Sequence, residues 1–264
     1  MKSKYAGISH RSSRRSVLKG SIVGAAGIAG VAGLVGAGIV ISEQGQNGAA
    51  HAAYGQDSSS HSYKYGAPDS IQTILNIAVT AEQLGVTFYA LALNNADELD
   101  LNNTARADLN AAKVEEQIHR KFLLANGAKP LTGKFSFPYG DDTFNNFRRL
   151  IKVQQLLETL FVAAYIAAAK EFAMLGRPDL VQAAMQIGTI ESEHRAVGRA
   201  IAGLQPANNR AFSPALLKRV GDAPNVLKQK GFLSPTYGNS YYYQDDSIDY
   251  SDVEMSSPSD QSWS

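Results

Sequence analysis

Two Glu-x-x-His motifs stand 75 residues apart in this sequence, each inside an apolar stretch with helical periodicity. Glu116 is followed by His119 in VEEQIHRKF, and Glu191 is followed by His194 in TIESEHRAV. Residues three positions apart lie on the same side of an α-helix, so each motif can direct a carboxylate and an imidazole to one point. Mixed oxygen and nitrogen donors of this kind suit iron or manganese.

Two further carboxylates extend the motifs into an internal repeat. The first part of the repeat is Glu82-x-Leu-x-Val-x-x-Tyr89, which recurs 76 residues later as Glu158-x-Leu-x-Val-x-x-Tyr165. The second part is Glu116-x-x-His119-Arg120, which recurs 75 residues later as Glu191-x-x-His194-Arg195. The two halves therefore read as copies of one helical hairpin. Pseudo-twofold symmetry would place four Glu and two His around a common centre.

Four helical segments are predicted from apolar positions that recur with a 3.6-residue period. They run over residues 70–93, 104–126, 143–175 and 178–204, and the expected caps are Asp69, Asn102 or Asn103, Asp141 or Asp142, and Pro178. No run of residues alternates with the period of a strand. The pattern predicts an all-α protein built as a four-helix bundle.

The connection between the second and third helices differs from the short first and last turns. Residues 128–140 include two prolines and the apolar pair Phe135 and Phe137. Thirteen extended residues reach roughly 43 Å, whereas a helix of 25 residues is roughly 38 Å long. The connection is therefore predicted to cross the length of the bundle, anchored by burial of its phenylalanine side chains. Helices two and three would then run parallel.

The acids fall at matching levels of the predicted hairpins. Residue 99, in the first turn, is the midpoint between Glu82 and Glu116, and the midpoint between Glu158 and Glu191 falls beside the last turn, Gly176 to Pro178. Each acid lies on a face that is otherwise apolar, and no Lys or Arg lies on these faces at that level. Buried carboxylates repel one another and lose hydration, so the cluster needs positive charge.

Two metal ions would supply that charge. The predicted ligands are Glu82, Glu116, His119, Glu158, Glu191 and His194. Because Glu116 and Glu191 occupy equivalent positions, both are expected to bridge the ions. One His and one terminal Glu would complete each ion, and the metals expected are iron or, as the alternative, manganese.

Other polar residues near the motifs have less certain roles. Glu115 and Glu193 flank the motifs at different helical angles, and both are expected to point off the shared face. For Glu193 a solvated or supporting role is expected, with a position at the centre as the alternative. Tyr89 and Tyr165 are interpreted as core residues two turns away from the metal level, with a hydrogen-bonding or radical role as the alternative. Beyond the metal ligands, the sequence indicates no catalytic residue.

The N-terminal segment has the pattern of an export signal. Arg14 and Arg15 precede an uncharged apolar run over residues 22–41, and Ala50-His51-Ala52 offers a cleavage site. Residues 1–52 therefore resemble a twin-arginine (Tat) signal, with the Tat translocation machinery as a partner and the periplasm, cell envelope or exterior as the destination. The alternative is an uncleaved membrane anchor.

Composition supports export and excludes several classes of site. The 264 residues contain no cysteine, which excludes disulfides, iron–sulfur clusters and thiolate zinc sites and suits an oxidising compartment. The whole chain carries a net charge of +1, and the part after residue 52 carries 19 basic and 23 acidic residues. That balance gives no indication of nucleic-acid binding.

The remaining stretches were assigned by composition. Residues 53–68 are expected to be a flexible tether before a bundle over 69–204, and residues 205–233 a short helical extension. Residues 234–264 are acidic, rich in Ser and Tyr and almost without aliphatic side chains, so they are predicted to be disordered. The sequence leaves open whether the bundle forms a homo-oligomer.

The ligand set in this order resembles the ferritin-like superfamily of di-iron carboxylate proteins. The stretches TAEQLGVTFYALAL, EEQIHRKFL and ESEHRA are similar to the secreted bacterial ferritin-like domain family, which is related to desiccation- and stress-associated proteins. The resemblance covers residues 70–204 and implies a ferritin-like bundle that oxidises Fe(II) with dioxygen or peroxide, or removes peroxide. The alternatives are a dimanganese catalase-like enzyme and a non-enzymatic stress or envelope protein.

Overall fold

The computed structural model describes residues 66–254. The predicted twin-arginine segment over 1–52, the tether up to residue 65 and the last ten residues of the tail lie outside the described part of the chain.

Four long helices dominate the described residues, and the predicted all-α bundle is confirmed. They are α1 (Ile71–Asn94), α2 (Asn103–Ala125), α3 (Phe147–Met174) and α4 (Pro178–Ile201). α1 and α2 form one hairpin, and α3 and α4 form the other. Their apolar faces meet in two buried hydrophobic clusters.

Local side chains set the beginnings of the helices. The hydroxyl of Ser70 accepts a hydrogen bond from the backbone of Thr73, and Asn102 caps α2 in the same way. These caps satisfy backbone N–H groups that the first helical turn leaves without partners. The predicted cap Asp69 has a different role, since its carboxylate accepts from the backbone N–H of Gly221 at 2.7 Å.

The predicted start of the third helix was too early. Residues Gly140–Thr143 form a short 3-10 helix, and α3 begins at Phe147 behind an Asn146 cap. The Asn146 side chain accepts a hydrogen bond from the backbone of Arg149 at 3.1 Å. Asp141 and Asp142 belong to the 3-10 turn and do not cap the helix.

Contacts between the hairpins establish their directions. Tyr89 on α1 bonds Glu158 on α3, and Tyr165 on α3 bonds Glu82 on α1. Residue numbers that increase along α1 therefore face residue numbers that decrease along α3, so these two helices are antiparallel. Because α2 is antiparallel to α1, α2 and α3 run parallel, which confirms the predicted crossover.

The crossover is anchored by aromatic side chains. Strand β1 (Lys134–Phe135) pairs antiparallel with strand β2 (Tyr241–Tyr242). Phe135 and Phe137 are both fully buried, as expected for side chains that anchor the crossover. The ring of Phe137 lies 4.9 Å from that of Phe144 and 5.9 Å from that of Phe88, centroid to centroid.

The chain after the bundle contains little helix. Within residues 205–233 the helical parts are a 3-10 turn (Val220–Asp222) and α5 (Ala223–Gln229). The buried carboxylate of Glu171 on α3 accepts hydrogen bonds from the backbone N–H groups of Asp69 and Val220, at 2.8 and 2.7 Å. This side chain fastens the segment before α1 and the segment after α4 to the bundle.

The sequence predicts disorder for residues 234–264, but residues 234–254 pack against the bundle. Asn239 exchanges hydrogen bonds with the backbone of Phe137, and Asp245 pairs with Arg120 at 3.2 Å. The prediction rested on the lack of aliphatic residues, but tyrosine rings also bury apolar surface. In addition, Asp245 pairs with Arg120 on α2.

Helices α1 and α3 are long and apolar enough to cross a membrane by length and composition alone. In the bundle, 78% and 72% of their most apolar windows are buried. Their composition is that of core helices.

Substitution of Tyr241 tests whether the C-terminal segment stabilises the bundle. Its ring lies 5.2 Å from Phe137 and 5.8 Å from Phe144, and its hydroxyl donates to Asp141 at 2.6 Å. Tyr241→Ala should lower the free energy of unfolding by about 2 kcal/mol in denaturant titrations.

The control is Tyr242→Ala in the same strand, where the ring is 59% exposed. It should cost no more than about 0.5 kcal/mol. Equal losses for both variants would contradict the packing of this segment.

Candidate metal centre

The six predicted ligand residues converge at the middle of the bundle. Helix α1 contributes Glu82, α3 contributes Glu158, and α2 and α4 each contribute a Glu and a His. All four carboxylates have no exposed surface, and the two histidines are at most 9% exposed.

His119 lies in the half of the cluster next to α1. Its Nδ1 is 3.3 Å from Glu82 Oε2 and 3.5 Å from Glu191 Oε1. The contact with Glu191 joins α2 to α4, so this half of the cluster already spans both hairpins.

His194 lies in the other half. Its Nδ1 is 3.3 Å from Glu191 Oε2, 3.4 Å from Glu116 Oε1 and 3.8 Å from Glu158 Oε2. Both imidazoles therefore present Nδ1 to the centre.

These contacts divide the cluster into two sets of four potential ligands. One set is Glu82, Glu116, His119 and Glu191, and the other is Glu116, Glu158, Glu191 and His194. Within each set, one ligand atom per residue lies within 4.8 Å of the other three. Glu116 and Glu191 belong to both sets, which is the position that bridging carboxylates require.

Orphaned polar atoms indicate that these residues fit a pair of cations. Eight buried oxygen and nitrogen atoms of the six residues have no hydrogen-bond partner, including both oxygens of Glu116, both of Glu191 and the Nδ1 atoms of the two histidines. Among residues 66–254, no Lys or Arg forms an ion pair with the four carboxylates. Buried anions without a partner are strongly destabilising, so metal ions are the fitting counter-charge.

Two tyrosines bond the outer carboxylates. Tyr89 donates its hydroxyl hydrogen bond to Glu158, and Tyr165 donates to Glu82. Each Tyr follows the Glu of its own helix by seven residues, and the antiparallel pairing of α1 and α3 brings it level with the Glu of the other helix. Both rings are buried in the core, as expected, but they reach the cluster through the opposite helix, so only their distance from the metal level was wrong. The hydrogen-bonding role given as the alternative is present, and the Glu-to-Tyr repeat contained the signal.

Glu115 also lies closer to the centre than the sequence indicated. Its Oε2 is 2.7 Å from Nε2 of His194, on the side of the ring opposite Nδ1. Glu115 does not lie on the face of α2 that carries Glu116 and His119. Its side chain points toward α4 instead. A carboxylate on the outer nitrogen of a metal-binding histidine fixes the ring's tautomer and orientation. The repeat places Ile190 at the matching position for His119, so this support is absent there.

Small residues leave space for the site. A Cβ atom on Gly85 would lie 2.7 Å from the carboxyl carbon of Glu116, so glycine gives this side chain its room. The Gln154 amide donates to the backbone oxygen of His194 at 2.7 Å and lies against Gly198. Sequence analysis assigned no role to these residues, because each acts through the helix opposite its own.

The family model of the ferritin-like domain matches residues 71–204, just over half of the chain. The chain belongs to the ferritin-like domain family. No curated protein and no solved structure matches it. The matched residues begin at α1 and end just after α4, so the ferritin-like domain contains all six residues of the cluster.

Burial gives the acids of the ferritin-like site unusual proton affinities when no ion is bound. The pKa of Glu116 is raised well above its ordinary value, first by burial and then by the charge of Glu191. Burial also raises the pKa of Glu158, to about 7, against the influence of His194. Burial acts in the same direction on Glu191, but His119 and His194 outweigh it and lower that pKa to about 2.

Both histidines are held in the charged form. Burial opposes protonation of His119, but contacts with Glu191 and Glu82 outweigh it and raise its pKa to about 9. Burial also opposes protonation of His194, but contacts with Glu115, Glu116 and Glu158 outweigh it and raise the pKa of His194. Without metal, the protons on these histidines partly neutralise the carboxylates.

Metal removal should therefore destabilise the bundle increasingly as pH rises. Glu116, Glu158, His119 and His194 all have folded pKa values above their unfolded values, so the folded chain binds more protons and loses stability as pH increases. The lowered pKa of Glu191 makes stability rise with pH instead, but only below about pH 4.5. For Glu158 alone the loss at pH 8 is on the order of 3 kcal/mol.

The measurement compares melting temperatures of metal-loaded and chelator-treated protein between pH 5 and pH 8. The loaded protein should melt higher, and the difference should widen with pH. A difference that stays constant or narrows would count against coupled titration in this cluster.

Proposed function

We propose that this is an exported ferritin-like protein that binds two metal ions, an iron pair, and oxidises Fe(II) with dioxygen or peroxide in protection against stress. The observation that carries the proposal is the sharing of Glu116 and Glu191 between two sets of four buried ligands. Paired redox-active ions suit a reaction that moves two electrons, and shared carboxylates hold the ions together.

The donor set supports iron. Each ion would have one imidazole nitrogen and carboxylate oxygens from three residues, which suits iron or manganese rather than soft metals. Glu82 and His119 would hold one ion, Glu158 and His194 the other, and the two shared carboxylates would bridge them. Manganese remains the alternative metal, and elemental analysis of protein from its native compartment distinguishes the two.

A bound iron pair would supply two-electron redox chemistry: reduction of one hydrogen peroxide to two water molecules takes two protons and one electron from each of two Fe(II). The chain's own residues control where protons and water are found. Tyr89 and Tyr165 keep their hydroxyl protons, because burial and the adjacent carboxylates raise both pKa values well above 10. Their hydrogen bonds orient the outer oxygens of Glu158 and Glu82. The apolar side chains around the centre exclude bulk water.

Ligand variants test the assignment. Glu116→Ala or Glu191→Ala removes a negative charge that both ions share, so paired binding should be lost. His119→Ala or His194→Ala should leave about one ion per chain. Fe(II) oxidation should fall at least ~100-fold in all four variants. Metal stoichiometry and the initial rate of Fe(II) oxidation are measured, and parent-like values throughout would exclude this site.

Two neighbouring acids provide a matched comparison. Glu115→Gln removes the carboxylate that orients His194 and should weaken the affinity for one ion about 10–100-fold. Glu193→Gln changes an exposed acid on α4 and should leave both ions bound as in the parent. If Glu193→Gln empties the site while Glu115→Gln does not, the role given to Glu115 is wrong.

Export rests on the N-terminal residues, which lie outside the described part of the chain. Paired guanidinium groups ahead of an apolar run are what the twin-arginine pathway recognises, and lysine does not replace arginine in such a role. Arg14→Lys with Arg15→Lys should keep the precursor inside the cell, as measured by fractionation. Lys19→Arg is the control and should be exported normally. Normal export of the double variant would contradict the proposal.

A further inference from the structure

Three arginines gather on the side of α4 that faces the chain beyond the bundle. Arg195 and Arg199 lie one turn apart on α4, and Arg210 follows in the connecting chain. Arg195 donates to Asn209 Oδ1 at 2.8 Å, and Arg210 donates to Thr159 Oγ1 at 3.1 Å.

The hydrogen-bond acceptors of this cluster are all neutral. Besides the amide and the hydroxyl, they are the backbone oxygens of Pro206 and Ala207, which accept from Arg199 at 3.2 and 3.0 Å. No carboxylate in residues 66–254 lies within ion-pair distance of the three arginines. Three positive charges thus share one small region without an anion.

Arg195 is the most constrained of the three. Only 8% of the residue is exposed, and its Nε is buried without a hydrogen-bond partner among the described residues. Arg210 and Arg199 lie close enough to act electrostatically on its guanidinium. A buried guanidinium beside two others is destabilising unless an anion joins it.

The internal repeat supplies a direct comparison, because Arg195 matches Arg120. Arg120 has an anion from its own chain, since Asp245 lies 3.2 Å away, and the Tyr243 ring lies 4.4 Å from its guanidinium carbon. With the amide of Gln83 turned so that its oxygen faces Arg120, that oxygen accepts a hydrogen bond from Nε at 3.1 Å.

The second half of the repeat differs at each of these contacts. The position matching Gln83 is Thr159, whose hydroxyl donates to the backbone oxygen of Gln155 and accepts from Arg210. Asn209, not an acid, meets the guanidinium of Arg195. The described chain therefore supplies an anion to one arginine of the repeat and none to the other.

We propose that Arg195, Arg199 and Arg210 bind a tetrahedral oxyanion, namely inorganic phosphate or the phosphate group of a small monoester. Arginine forks present paired N–H donors that match the oxygens of phosphate, and charge-assisted hydrogen bonds of this type are strong. The phosphate would give Arg195 the anionic partner that Asp245 gives Arg120.

This site is separate from the ligands of the metal centre but connected to them. Gln154 donates to the backbone oxygen of His194, and the adjacent Gln155 donates to that of Arg195, both at 2.7 Å. Phosphate can also bind metal ions directly, so the test must include protein from which metal has been stripped. The oxyanion site does not depend on the proposed oxidation chemistry.

The experiment measures inorganic phosphate binding by calorimetry and by thermal shift, on metal-loaded and chelator-stripped full-length protein at constant ionic strength. Phosphate at about ten times its Kd should raise the melting temperature of both forms by about 3–6 °C over chloride. A parallel titration with glycerol phosphate distinguishes a monoester from the free ion: the tighter binder identifies the source. No stabilisation beyond chloride by either ligand would overturn the proposal.

Variants locate the binding. Arg195→Gln and Arg210→Gln should each weaken phosphate affinity at least tenfold, and Arg210 is exposed, so its replacement leaves the core intact. Arg120→Gln is the matched control from the other half of the repeat and should bind phosphate like the parent. Parent-like affinity in Arg210→Gln, or an equal loss in Arg120→Gln, would overturn the proposal.

Discussion

Four carboxylates in one apolar core are the constraint on which the rest of this structure depends. None of the four has exposed surface, and six of their eight oxygens have no hydrogen-bond partner. Without metal, protons balance much of this charge, because both histidines are protonated and burial raises the pKa values of Glu116 and Glu158. Cations at the centre would replace these protons, and the ligand set fits a pair of them.

The topology follows from bringing these acids together. A chain with short turns throughout would make α2 and α3 antiparallel, and the second hairpin would then meet the first in the opposite sense. The long crossover reverses that direction, so that α1 meets α3 antiparallel and Tyr89 and Tyr165 reach the carboxylates of the opposite hairpin. Buried Phe135 and Phe137 hold the crossover in place.

Much of the bundle and the approximate position of the site could be predicted, because both depend on periodicity along single helices. The face containing Glu116 and His119, and its distance from the turn, can be read from the sequence. The contacts of Glu115 and Gly85 could not, since each depends on the rotation of one helix against another. The ordered segment around Tyr241 was missed because its burial depends on rings from distant parts of the chain.

The two halves of the repeat share their ligands but differ in the side chains that support them. Glu115 supports His194, whereas Ile190 occupies the matching place beside His119. Asp245 neutralises Arg120, whereas Arg195 lies among further arginines. In each comparison a carboxylate is present on one side of the pseudo-twofold axis and missing on the other. The two sets of ligands therefore have unequal surroundings, since one histidine has a supporting carboxylate and the other does not. Likewise one arginine of the repeat has an anion from the described chain and the other has none.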